Sequence, residues 1–152
     1  CIGGRRCERA KDYIKVSLIY GCGFLAVLSA VVMLFARPLS GLFVDSEAAA
    51  EIVRTYFLII GSGYILNTVT NCFLGAVNGM GKPVKSLCCM ILYYLIVRMP
   101  LAWLLSFLGF GLNGIWTAVL VSHIVAAAAA CLIGNLELKD QERILSDEGR
   151  IK

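Results

Sequence analysis

Residues 99–136, MPLAWLLSFLGFGLNGIWTAVLVSHIVAAAAACLIGNL, contain no Asp, Glu, Lys or Arg. A membrane helix needs about 20 predominantly apolar residues to cross roughly 30 Å of hydrocarbon. This stretch is long enough to end one such helix and complete the next. Between them lies GFGLNG at 109–114, a cluster of turn residues without charge. The pattern predicts two helices joined by a tight hairpin at a membrane surface.

The same reading extends outward. Residues 16–36, 55–81 and 86–97 are also uncharged. The chain is 59% hydrophobic and 16% charged, with a mean hydropathy of +0.82. A soluble domain runs at about 45–50% apolar and about 25% charged. Disorder and a soluble fold are therefore excluded, and the expected class is an all-α membrane protein with the lipid bilayer as partner. Four transmembrane helices are predicted, at about 14–35, 46–77, 84–108 and 114–134. A basic segment at 1–13 precedes them, and a charged tail at 135–152, a short surface helix or a disordered end, follows.

The joints have local causes. Arg37-Pro38 stops the first helix, because proline lacks an N–H and disfavours helix in the residue before it. Asp45 suits an N-cap, with Glu47 in the first turn where the helix dipole favours an anion. Asn78 to Pro83, NGMGKP, is a turn cluster.

Orientation follows from the basic residues. With four passes, Arg5, Arg6, Arg9, Lys11, Lys15, Lys82, Lys85, Lys139, Arg143, Arg150 and Lys152 fall on one side. Arg37 and Arg54 fall on the other, and Arg98 lies within a span. This asymmetry predicts a multi-pass plasma-membrane protein with both termini and the loop at Lys82 in the cytoplasm. It also explains the +4 net charge without nucleic acid. The seven cysteines form no C-x-x-C pair, and those in the spans read as small hydrophobes.

Polar groups inside the spans are the candidate functional residues. Arg98 sits near the middle of the third helix, where an Arg costs about 2.5–3.5 kcal/mol on insertion scales. It needs a partner, and the membrane parts of the four helices, from about Tyr56 in the second, contain no acid. The Ile96 carbonyl, which loses its donor to Pro100, and the Tyr94 hydroxyl are within reach. Arg98 either satisfies such groups and reaches toward lipid phosphate, or faces a polar cavity, or pairs with an acid on a part of the protein outside this chain. In the second helix Tyr64, Asn67, Asn71, Gly75 and Asn78 recur on one face, flanked by Thr68 and Thr70. Asn67 and Asn71 are expected to look into the bundle, since a lipid-facing amide is unsatisfied. Such a face serves either helix–helix hydrogen bonding or a water-filled path. The substrate-path candidates are thus Tyr64, Asn67, Thr68, Asn71, Tyr94 and Arg98. His123, beside Ser122, reads as a packing residue, with a proton relay as the alternative. Gly61-Ser62-Gly63 could permit a bend. Gly75-x-x-x-Gly79 and Ala130-x-x-x-Gly134 are small-residue pairs of the type that lets helices approach. No metalloprotease, nucleophile-elbow or phosphate-loop motif occurs. An enzyme is not expected, and neither a metal site nor a catalytic residue is assigned.

In order along the chain, five landmarks resemble the C-terminal part of a MATE (multidrug and toxic compound extrusion) transporter. They are GGRRCERAK at 3–11, LFVD at 42–45, LGAVNGMGKP at 74–83, RMPLAW at 98–103 and GLNGIWTA at 111–118. The resemblance implies the last four of twelve helices, part of one lobe of a two-lobe fold, with the N-terminal lobe missing. The start at Cys1 agrees with a fragment. The implied activity is secondary antiport, exporting organic cations or drugs in exchange for Na⁺ or H⁺, with no other cofactor. In one branch of the family an acid of this lobe aligns with Asn67, which cannot titrate, so the coupling acid is expected in the missing half. A related flippase for lipid-linked or polysaccharide precursors is the alternative. A non-transporting truncated membrane subunit is the alternative of another class.

Overall fold

The computed structural model describes residues 7–36, 38–39 and 47–150, with side chains described as far as 146. The expected N-cap at Asp45 and the landmark at 42–45 lie outside these residues. No strand occurs among those described. The helices are α1 (Cys7–Leu34), α2 (Glu47–Gly79), α3 (Pro83–Ile91), α4 (Met99–Leu105) and α5 (Gly111–Arg150). A π-helical run, Leu92–Arg98, joins α3 to α4, and a second, Ser106–Phe110, follows α4.

Among the described residues, three helical stretches are long and apolar enough to cross a membrane: Cys7–Leu34, Glu47–Gly79 and Pro83–Ser146. The third folds back on itself. Its helical geometry breaks at Gly109 (φ 89°) and Gly111 (φ 54°), in the left-handed region that glycine reaches without strain. The chain then doubles back, so that Lys82, just before α3, binds Glu137 in α5. The helical stretch after Pro83 thus forms a hairpin, which turns at the predicted glycines.

Helix ends differ from expectation at both termini. Helix α1 is already formed at Cys7, ahead of the expected 14, because CERAKDYIK is rich in good helix formers. It ends at Leu34, four residues before Pro38, whose ring would clash with that carbonyl. Helix α5 does not stop at 134. It runs on to Arg150, since 135–148 contains neither Gly nor Pro and is mostly Leu, Glu, Lys, Gln and Arg. The charged tail is thus the end of the last membrane helix, not a separate surface helix or a disordered end. Pro83 takes the first turn of α3, where its missing N–H costs nothing.

Helix α2 is packed on two sides. Toward α1, a Cβ on Gly61 would lie 2.8 Å from Met33 Cε, and one on Gly21 would lie 3.1 Å from Thr68 Cγ2. Toward α5, a Cβ on Gly63 would lie 3.0 Å from His123 Cδ2, and one on Gly134 would lie 2.5 Å from Phe73 Cδ1. The Gly61-Ser62-Gly63 segment therefore seats neighbouring helices, and α2 runs through it unbroken. Of the two small-residue pairs, only Ala130/Gly134 makes a close approach. A Cβ on Gly75 or Gly79 would meet nothing within 4 Å. The core joins Phe73 and Leu74 of α2, Cys89 of α3, Tyr93 of the π run, and Ala126 and Ala130 of α5, with Ile14 and Leu18 of α1 against it.

One end of the bundle is an ion network. Glu137, only 5% exposed, accepts hydrogen bonds from both Lys82 and Lys85. Lys82 also reaches Asp140 at 3.1 Å, and Lys11 pairs with Glu142. Three basic segments of the sequence thus meet at one end, as an even number of passes requires. The lysine bonds, Lys82 first, hold the Glu137 carboxyl below its ordinary value, and Glu137 in turn raises Lys82. At the opposite end Tyr56 of α2 meets Trp116 of α5 edge-on at 5.7 Å, near the Gly109–Gly111 turn.

Candidate functional site

Arg98 closes the π run, two residues before Pro100. Runs of π-helix cluster at functional positions because they widen the helix and re-aim side chains. The half-buried guanidinium donates through Nε to Ser122 Oγ at 2.8 Å. Its Cζ lies over the Tyr94 ring, 4.4 Å from the centroid, a cation–π distance. Among the described residues its partners are therefore Ser122 and the face of Tyr94. They are not the Ile96 carbonyl or the Tyr94 hydroxyl that the sequence suggested. The Ser122 proton goes to the Val119 carbonyl at 2.7 Å. Arg98 Nη2 remains buried without a hydrogen-bond partner.

Ser122 and His123 are the residues that sequence reasoning undervalued. They form an adjacent polar pair in the otherwise apolar middle of α5, and that was a legible signal. Ser122 is fully buried and His123 is 7% exposed. Successive residues on a helix point about 100° apart. Ser122 thereby reaches Arg98, while the His123 ring packs on Gly63 of α2. His123 Nδ1 is buried and unpartnered.

The α2 stripe is placed differently from the expectation. Tyr64 is 42% exposed. Asn71, Gly75 and Asn78 are also exposed, while Asn67 and Thr68 are half-buried. Asn67 and Asn71 are thus not enclosed between helices of this chain. The α1 and α5 contacts use the flanks of α2 and leave the polar face open. The Thr68 and Thr70 hydroxyls are satisfied by their own helix, on the Tyr64 and Leu66 carbonyls. Thr70 is fully buried and belongs to the packed side. The site residues therefore form two groups. Tyr94 and Arg98 lie together, Tyr64, Asn67, Thr68 and Asn71 share α2, and α5 stands between them carrying Ser122 and His123. No cluster of His, Cys, Asp or Glu suited to a metal occurs among the described residues.

A family model described as MatE matches residues 1–104. The chain belongs to the MatE family. This MatE chain is 26% identical over 128 residues to a protein of Shewanella oneidensis named "FAD transporter", covering 84% of this chain and 28% of that protein. It is 31% identical over 133 residues to "Uncharacterized transporter YisQ" of Bacillus subtilis, covering 82% of this chain and 28% of that protein. It thus spans little more than a quarter of the length of these curated relatives. No solved structure matches it. Membership in MatE makes the chain a multi-pass membrane protein of a transporter family and not an enzyme. The matched region takes in the α2 stripe, Tyr94 and Arg98, whereas Ser122 and His123 lie beyond it.

Proposed function

We propose that this MatE chain supplies four helices of one lobe of a secondary active antiporter, which exports a small organic solute in exchange for Na⁺ or H⁺. The observation that carries this reading is the open polar face of α2. Tyr64, Asn71 and Asn78 lie on a membrane-crossing helix, yet the chain's own helices leave them uncovered. Exposed to lipid, such amides are unsatisfied at a cost of several kcal/mol. Lining a water-filled path against a second lobe, they are solvated and free to meet solute. No acid occurs from residue 52 to 136, so the group that couples to Na⁺ or H⁺ belongs outside these spans. Organic cations and drugs are the solutes the family resemblance implies. The relative named for FAD adds an anionic solute to the set.

The test is efflux from proteoliposomes by the protein of the complete reading frame. Asn71→Leu is expected to lower efflux at least about fivefold per folded molecule, because the change fills an open polar face and leaves packed sides alone. Unchanged efflux in Asn71→Leu would remove the face from the path. A lipid-linked precursor moved in place of soluble solutes would favour the flippase reading.

We place the end carrying Lys11, Lys82 and Glu137 in the cytoplasm. Single cysteines at Ser146 and at Asn113 in a cysteine-free protein test this. A membrane-impermeant thiol reagent added outside intact cells is expected to label Asn113→Cys and spare Ser146→Cys. The reverse pattern would invert the topology.

A further inference from the structure

We propose that Arg98 is the seat of an oxyanion, the phosphate or carboxylate of the transported solute, held at mid-membrane by the guanidinium that Ser122 and Tyr94 fix in place. The inference rests on the transport reading above and adds the chemical class of solute.

Charge balance is the first argument. Arg98 is always protonated, and both groups that hold it are neutral: a serine hydroxyl at 2.8 Å and a tyrosine ring at 4.4 Å. The serine's one proton is engaged on the Val119 carbonyl. No Asp or Glu lies anywhere from residue 52 to 136, nor from 13 to 44 in the first pass. An Arg at mid-membrane without an acid in these spans costs about 2.5–3.5 kcal/mol on insertion scales. Inside membranes such residues mark solute and ion pathways.

The second argument is the pattern of unused donors. The Nε edge is turned to Ser122, which leaves the terminal nitrogens for a ligand. Of these, Nη2 is buried and unpartnered. Guanidinium terminal nitrogens meet two oxygens of a carboxylate or phosphate in a bidentate pair. His123 Nδ1, on the side of α5 that packs on α2, is also buried and unpartnered. The third argument is rigidity. Tyr94 lies one turn before Arg98 on the same π run and Ser122 is on the facing helix, so the cation is held from two elements before any ligand arrives. A cation so placed repels organic cations and selects solutes of opposite sign.

Riboflavin and flavin mononucleotide differ by one phosphate and are both fluorescent, which makes them suitable probes. Binding is measured by flavin anisotropy on the purified full-reading-frame protein, and efflux is measured in proteoliposomes. Wild type is expected to prefer the phosphorylated flavin by about tenfold to a hundredfold, the range of a charge-assisted hydrogen-bonded pair. Arg98→Gln is expected to abolish that preference while retaining riboflavin. Arg98→Lys keeps the charge but loses the planar fork and should retain part of it. Ser122→Ala, which frees the guanidinium without removing it, should lower the preference several-fold. An unchanged preference in Arg98→Gln, with normal folded yield, overturns the proposal. A loss of folded yield in Arg98→Gln, with the preference unaltered in Ser122→Ala and Arg98→Lys, also overturns it, by assigning the counter-charge to a carboxylate of the protein itself. Riboflavin efflux that persists in these variants leaves the transport reading standing when the oxyanion site fails. Absence of efflux of either flavin or of cationic dyes from wild type sinks the transport reading instead.

Discussion

Gly134→Ala is expected to destabilise the bundle by about 1–3 kcal/mol, the range for forcing a methyl group into a packed core. The added Cβ would lie 2.5 Å from Phe73 Cδ1 and 3.3 Å from Cγ. Phe73 cannot retreat freely, because it is buried in the cluster with Leu74, Cys89, Tyr93, Ala126 and Ala130. Relief requires α2 and α5 to separate or the ring to leave its rotamer. The matched control is Gly75→Ala, where a Cβ meets nothing within 4 Å. Alanine is a better helix former there by up to about 1 kcal/mol, so this variant is expected to be neutral or slightly stabilised. Thermal unfolding of the two variants in one detergent measures the contrast. Equal stabilities would mean that α2 and α5 do not pack through Gly134 and Phe73.

Glu137→Gln is expected to cost about 1–3 kcal/mol. Removing one partner of a buried pair typically costs about 3–5 kcal/mol, and the figure is reduced here because Lys82 and Lys85 are partly exposed. The amide cannot neutralise two ammonium groups, which then repel each other across the end of the hairpin. The pH dependence has a definite sign. The folded Glu137 carboxyl lies below its ordinary 4.5. Its contribution is therefore complete above that value and disappears as pH falls through the lower folded one. Lys82 is raised above 10.5, so its contribution is complete below that and disappears only as pH rises past the folded value. Between these limits the network should be insensitive to pH. Wild type should lose stability in acid more steeply than Glu137→Gln. Parallel acid profiles for the two proteins would refute the assignment.

The long apolar helices and the Gly109–Gly111 hairpin were legible because the helices are uncharged runs and the turn is a glycine cluster. The meeting of basic segments at one end followed from counting lysines and arginines along an even number of crossings. Helix ends were less legible. The sequence shows where charge begins at Glu137, but charge ends a hydrophobic run without ending a helix, and α5 continues through good helix formers to Arg150. The π run Leu92–Arg98 has no one-dimensional signature beyond the nearby proline. The partner of Arg98 was illegible for a different reason. Ser122 faces Arg98 only because of how α5 is rotated in the hairpin, a tertiary quantity to which local spacing is blind. The α2 stripe was recognised as a face, but whether a face is covered depends on which flanks the neighbours use. Gly21, Gly61, Gly63 and Gly134 decide that by letting neighbours close in on its two sides.

The hairpin tip has a consequence for how the protein enters its membrane. Moving a Lys, Arg or Asp to the middle of a bilayer costs about 2.5–3.5 kcal/mol each on insertion scales, and the stretch from Met99 to Leu136 carries none of them. The turn at Gly109–Gly111 can therefore be delivered to the far side as a preformed pair of helices, without dragging a charged loop through hydrocarbon. Glu137 comes within reach of Lys82 and Lys85 only after α5 has returned to the side from which α3 departed. The ion network can therefore close only once the hairpin has folded back.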